Sequence, residues 1–96
     1  MVELILVVDV EGLEDKERFN KHLKKEGFVL VEGEELVYTA TSNTTTFSTK
    51  AYILEVVKVG LKKSGFKECK LIFQLDELPW QAYKFDHSTN DFEEAK

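Results

Sequence analysis

The sequence predicts an α+β domain of the split β-α-β, ferredoxin-like type, in which an antiparallel sheet carries two helices on one face. Two observations lead to this fold class. The apolar pattern places strands and helices in the order β-α-β-β-α-β. The hexamer LKKEGF at residues 23–28 also returns as LKKSGF at residues 61–66, and each copy is typical of a helix ending at glycine. We interpret this echo as a repeated β-α-β unit.

The first unit begins with a strand over residues 3–10, whose core face carries Leu4, Leu6, Val8 and Val10. A helix is predicted over residues 15–26. Asp15 is its expected N-cap, because a carboxylate accepts hydrogen bonds from the free N–H groups of the first turn. Strands over residues 28–31 and 36–41 follow, joined by a glycine-centred hairpin turn.

The second unit begins with a helix over residues 50–64, capped by Ser48 or Thr49. Gly60 lies inside this helix, where glycine costs about 1 kcal/mol relative to alanine, so we expect close packing on the sheet there. A strand over residues 67–75 follows. Its alternation turns Cys69 inward, and we interpret this cysteine as a core residue.

One ferredoxin-like domain is expected over residues 1–86. Within it, residues 80–85 are a candidate short fifth strand. Residues 87–96 are polar and are expected to form a flexible tail.

Polar residues gather after the first and third predicted strands. We expect these two strands to be central and parallel, so that their carboxyl ends meet at one edge, where both helices begin. Asp9 and Glu11 would then lie beside the hydroxyl-rich run of residues 42–49.

Three interpretations of this predicted cluster stay open. Asp9 and Glu11 could bind Mg²⁺ or Mn²⁺, which prefer oxygen ligands. The run could instead bind an anion at the helix N-terminus, through Asn43, Thr44, Thr45, Thr46, Ser48 and Thr49. The third interpretation needs no cofactor, because the same residue types cap helices and solvate loops.

Composition limits the classes of function. The 96 residues carry a net charge of −5, which argues against nucleic acid as the partner because phosphate binding depends on Lys and Arg. A single cysteine excludes an internal disulfide and a cysteine-based zinc cluster. The apolar run at the start is too short to span a membrane and lacks a basic leader, so a cytoplasmic location is expected.

The sheet face away from the helices is expected to be apolar. Strand alternation places Ile5, Val7 and Ile72 there, together with Val37 or Tyr38. A contiguous apolar patch usually marks an interface, so the sequence predicts a homodimer through this face. Alternatively, residues 80–85 fold back and cover the patch within one chain.

The segment Leu4-Ile5-Leu6-Val7-Val8-Asp9-Val10, followed by the first helix and Gly27-Phe28, resembles two related groups of proteins. These are the small CRISPR-adaptation endoribonuclease-like proteins and the virulence-associated protein D toxins. The resemblance implies a ferredoxin-like homodimer with a divalent metal at its interface. On this resemblance, Asp9 corresponds to the aspartate that ends the first strand in those families.

The sequence therefore leads to a small dimeric interaction or regulatory module without catalytic activity. The alternative is a metal-dependent endoribonuclease-like protein with Asp9 at the dimer interface. A third hypothesis is a small-ligand sensor that uses residues 42–49. Whether the chain is an enzyme stays open at this point.

Overall fold

Eight secondary-structure elements follow one another along residues 1–95, the part of the chain that this computed structural model describes. They are β1 (Val2–Glu11), α1 (Lys16–Lys25), β2 (Val29–Leu30), β3 (Val37–Ser42), α2 (Thr46–Ser64), β4 (Glu68–Leu75), β5 (Gln81–Asp86) and β6 (Asp91–Glu94). The strands form one antiparallel sheet in the order β2-β3-β1-β4-β5-β6. The α+β class is therefore correct, while the number and order of strands differ from the prediction.

The central strands β1 and β3 are antiparallel, so the predicted parallel arrangement is wrong. In their register Val2 lies opposite Ser42 and Val7 lies opposite Val37. The reason is the hairpin between β2 and β3. Because β2 and β1 each pair antiparallel with β3, they point the same way, and β3 returns between them.

The first helix begins and ends as predicted. Asp15 is its N-cap, and a carboxylate oxygen of Asp15 accepts a hydrogen bond from the Arg18 N–H at 3.0 Å. At the other end Gly27 has φ of +97°. The Phe28 N–H donates to the Leu23 carbonyl at 2.9 Å, which completes a Schellman motif.

The echoed hexamer ends α2 differently. Gly65 also has positive φ, but its φ of 83° is combined with ψ of 128°, so the chain leaves the helix extended. The Gly65 N–H donates to the Leu61 carbonyl at 2.8 Å, and the Gly65 carbonyl accepts from the Glu14 N–H at 2.9 Å. The second hexamer, residues 61–66, thus connects the end of α2 to the loop before α1 by a hydrogen bond.

Gly60 allows the two helices to approach each other. A Cβ atom at this position would lie 2.9 Å from Cδ2 of His22 and 3.2 Å from the ring of Phe19, both on α1. The expectation of close packing was correct, but the partner is α1 and not the sheet.

The core lies between one face of the sheet and the two helices. Alternate residues of β1 face it, as predicted, and Cys69 is buried in it. Tyr38 also lies in this core, and its hydroxyl donates to Asn20 Oδ1 of α1. The side chains that fill the core include Leu4, Leu6, Val8, Phe19, Leu23, Phe28, Ile53, Val57, Leu61, Leu71, Phe73 and Leu75.

Residues placed in the predicted tail include a sixth strand. Phe92 of β6 is only 5% exposed, and its ring meets that of Phe85 edge-on at 5.3 Å. The polar composition of residues 87–96 concealed this single apolar anchor. The candidate fifth strand is present as β5. It pairs with the outer edge of β4 and does not fold back over the sheet.

None of the helices within residues 1–95 is long and apolar enough to cross a membrane.

Candidate functional site

The two halves of the predicted polar cluster lie at opposite ends of the sheet. Asp9 and Glu11 are exposed near the end of β1, opposite Lys70 and Glu68 of β4. Ser42, at the end of β3, lies opposite Val2 at the start of β1. Because β1 and β3 are antiparallel, the structure does not bring these groups together, and the predicted juxtaposition is wrong.

The hydroxyl-rich run forms a capping network. Thr45 is the N-cap of α2, and its hydroxyl accepts from the Ser48 N–H at 3.1 Å. Thr49 is buried one turn into the helix, where its hydroxyl donates to the Thr45 carbonyl at 2.8 Å and lies 2.9 Å from Ser42 Oγ. The predicted caps, Ser48 and Thr49, are therefore helical residues.

The remaining anion candidates are Asn43, Thr44 and Thr46. The first two are exposed in the turn before the cap, and Thr46 is the first residue of α2. The Thr44 hydroxyl accepts from the Thr45 N–H within the turn. Local hydrogen bonding of this kind agrees with the capping interpretation of the run.

The metal candidates have few neighbouring ligands. Within residues 1–95, no group of three or more His, Cys, Asp or Glu side chains is close enough together to hold a metal ion. The residue beside Asp9 on β4 is a cation, Lys70. Glu11 lies opposite another carboxylate, Glu68, so like charges meet across this end of the sheet.

The one cysteine and the two histidines have surroundings typical of structural residues. Burial, assisted by the negative charge of Asp9, raises the pKa of the Cys69 thiol to about 12, which keeps it protonated at neutral pH. Nε2 of His22 lies 3.1 Å from the Val56 carbonyl and links α1 to α2. His87 stacks on Phe66 with ring centroids 5.7 Å apart.

The sheet face away from the helices, which we call the open face, carries a row of apolar side chains. Val37, Val7, Ile72 and Ala82 lie directly opposite one another on the adjacent strands β3, β1, β4 and β5. All four are partly exposed. We call them the apolar row. The predicted patch is thus present, with Val37 and not Tyr38 as its member from β3.

Two different rows flank the apolar row. On one side the charged row consists of Asp9, Lys70, Lys84 and Glu93. On the other side the face forms a shallow depression of about 1210 Å³, whose lining includes Ile5, Thr39, Gln74 and Leu78. Ile5 is 39% exposed there. The open face therefore has an apolar centre. The charged row lies along one border, and the depression along the other mixes apolar side chains with the carboxylates of Glu3, Asp76 and Glu77.

A second surface was not predicted from the sequence. The α1–β2 groove, of about 630 Å³, runs between the outer side of α1 and strand β2. Its lining includes Lys21 and Lys24 from the helix and Leu30 from the strand. Val29 and Leu30 are 62% and 42% exposed. The sequence carries no signal for this groove, because only the sheet order shows that Val29 and Leu30 lie on an edge strand.

Comparison with known proteins finds no match for this chain. No family model matches the chain, and neither the curated proteins nor the solved structures give a match.

Proposed function

We propose that this chain is a small interaction module without catalytic activity, which forms a homodimer through its open face. The observation that carries this proposal is the apolar row. Four partly exposed apolar side chains on four adjacent strands form a continuous strip. A contiguous strip of this kind differs from scattered surface apolar residues, which are normal.

The borders of the open face favour one way of pairing. A two-fold axis parallel to the apolar row would place the apolar row of one chain against the same row of the other chain. The charged row of one chain, which includes Lys70 and Lys84, would then face the depression of the other, whose lining includes the carboxylates of Glu3, Asp76 and Glu77, and would form the polar border of the interface. Such an interface, with an apolar centre and a polar border, is the usual arrangement between protein subunits.

The apolar row alone is too small for a stable interface. Four strands at a spacing of about 4.8 Å give a strip roughly 15 to 20 Å long. A standard interface buries about 800 Å² on each partner. The proposed dimer therefore also uses the depression, where Ile5 and Leu78 are 39% and 44% exposed.

Light scattering tests the proposal directly. The native chain should exceed its monomer mass of 11.1 kDa at micromolar concentration. Ile72→Lys should reduce the mass, because a charge is placed in the middle of the apolar row. Ala51→Lys adds the same charge at an exposed position of α2 and is the matched control. An unchanged mass in Ile72→Lys would contradict association through the open face.

We also propose that β1 to β4 and the two helices form a ferredoxin-like unit, which β5 and β6 extend. The supporting observations are the element order β-α-β-β-α-β and the neighbour order β2-β3-β1-β4. On this proposal, the two added strands widen the open face, because Ala82 and Lys84 of β5 continue its rows.

The alternative hypothesis remains a metal-dependent endoribonuclease-like protein with Asp9 at the dimer interface. Asp9 does lie on the open face, in the charged row. With the two-fold axis proposed above, however, the two copies of Asp9 would lie on opposite sides of the apolar row. The nuclease hypothesis therefore needs another pairing, and the Mn²⁺ experiment described in the Discussion separates the two.

A further inference from the structure

Strand β2 is an edge of the sheet with outward-facing backbone groups. The Val31 N–H donates to the Val37 carbonyl at 2.8 Å, which makes these two residues a hydrogen-bonded pair. Hydrogen-bonded pairs alternate with non-bonded pairs along an antiparallel ladder. The N–H and C=O of Leu30, which lies opposite Tyr38, therefore point away from β3. They are free to pair with another strand.

The side chain of Leu30 adds an apolar contact at the same place. Leu30 lies on the helix side of the sheet, like its neighbour Tyr38, and lines the α1–β2 groove. Its 42% exposure leaves apolar surface that a strand added to β2 could cover.

Opposite charges lie at the two ends of β2. Lys24 and Lys25 end α1, just before the strand, and Glu32 and Glu34 lie in the turn after it. All four are exposed, and none has an ion-pair partner within residues 1–95. Lys21 and Glu35, by contrast, are paired within the chain. The carboxylate of Glu26, which lies between these lysines and the strand, is only partly exposed and accepts a hydrogen bond from the Tyr52 hydroxyl at 2.9 Å. The exposed charges without an ion pair are thus basic at the start of the strand and acidic at its end.

We infer that β2 pairs antiparallel with β2 of a second copy, about a two-fold axis that passes beside Leu30. Each Leu30 N–H would donate to the Leu30 carbonyl of the other copy, and the two leucine side chains would touch above the joined sheets. Antiparallel pairing places the start of one strand beside the end of the other. Lys24 and Lys25 of each copy would therefore meet Glu32 and Glu34 of the other.

The charges identify a second copy as the occupant of this edge. An antiparallel partner needs basic groups opposite Glu32 and Glu34 and acidic groups opposite Lys24 and Lys25. The same segment of a second copy provides both, and two-fold symmetry forms each contact twice. This edge pairing uses none of the open face and stands independently of the function proposed above.

The first experiment separates the two surfaces by light scattering. In Ile72→Lys, which disables the open face, the edge dimer should persist at twice the chain mass of 11.1 kDa. Adding Leu30→Pro should give a monomer, because proline removes the outward N–H but no bond to β3. Leu30→Val keeps the N–H and should remain dimeric. A monomeric Ile72→Lys chain at millimolar concentration would overturn the edge pairing. A monomeric Leu30→Pro single variant would instead contradict the open-face dimer.

The second experiment tests the charges and does not depend on a proline variant that folds. In the Ile72→Lys background, Lys24→Glu with Lys25→Glu should weaken the dimer about tenfold, because like charges then meet at both ends. Glu32→Lys with Glu34→Lys should do the same. An equimolar mixture of the two variants should associate again, since every contact between them is of opposite charge. Failure of the mixture to associate more tightly than either variant alone would overturn the inference.

Discussion

Gly60 of α2 lies against the imidazole of His22 on α1, so closely that a Cβ atom would come within 2.9 Å of Cδ2. Gly60→Ala should therefore destabilise the protein, although alanine is the better helix former by about 1 kcal/mol. Overpacking costs about 1 to 3 kcal/mol, and the fully buried Phe19 behind His22 cannot yield. Urea unfolding should show a net loss of about 1 kcal/mol. In the background of His22→Ala the same change should cost less, and increased stability of Gly60→Ala would contradict the close contact.

The two glycines that end the helices should respond differently to alanine. Gly27 has positive φ with open space around it, so Gly27→Ala should cost about 1 kcal/mol. Gly65 combines φ of 83° with ψ of 128°, outside the left-handed region, and a Cβ there would overlap Glu14. Gly65→Ala should cost about 2 kcal/mol or more. Equal losses in urea unfolding would show that the two helix ends are alike.

Phe92 should anchor β6 to the rest of the domain. Its ring is 5% exposed and packs against Phe85, so Phe92→Ala should lower the free energy of unfolding by about 3 kcal/mol. Glu93→Ala, on the neighbouring exposed position, should change it by less than about 0.5 kcal/mol. A loss for Phe92→Ala as small as that of Glu93→Ala would mean that the domain ends before β6.

Cys69 should be inert in the native protein at pH 8. Burial raises the pKa of its thiol to about 12, so the reactive thiolate is scarce and the side chain is inaccessible. Iodoacetamide should modify the chain in urea but not in buffer. Because the folded pKa is the higher one, this thiol should reduce stability as the pH rises from about 9 towards 12. The Cys69→Ala variant should lack that part of the decline, and rapid modification in buffer would contradict the burial.

Mn²⁺ should leave the melting temperature unchanged, in both the native chain and Asp9→Asn. The reason is that Asp9 lies opposite a cation, Lys70, and that no group of three or more metal-ligating side chains comes together within residues 1–95. A metal that binds only the folded state would raise the melting temperature by mass action. A rise with millimolar Mn²⁺ that disappears in Asp9→Asn, together with metal-dependent RNA cleavage, would favour the nuclease hypothesis.

The secondary structure could be predicted because its signals are local. The alternation of Leu4, Leu6 and Val8 identifies the core face of β1 whatever its neighbours are. Asp15 and Gly27 are recognisable helix ends for the same reason. Strand direction is not a local property, since residues 37–42 show the same alternation whichever way the strand points.

The site prediction failed for this reason. Assigning one wrong direction to β3 brought Asp9 beside residues 42–49, whereas the register separates them by the length of β1. The choice of Thr45 as N-cap was equally hidden, because every hydroxyl from Thr44 to Thr49 is chemically able to cap. Val29 and Leu30 also did not identify β2 as an exposed edge strand, since an apolar pair of this kind occurs in both buried and edge strands.

The central place of β1 has a consequence for synthesis on the ribosome. β1 is made before both of its neighbours, and Leu4 cannot pair with Leu75 until that residue has been synthesised. At typical translation rates that delay is on the order of several seconds. Until then an uninterrupted apolar segment, residues 4–8, lacks its β4 partner along one edge, even after β3 has been made. We therefore expect the nascent chain to depend on chaperone binding at this segment, and overproduction to yield inclusion bodies when translation outpaces such protection.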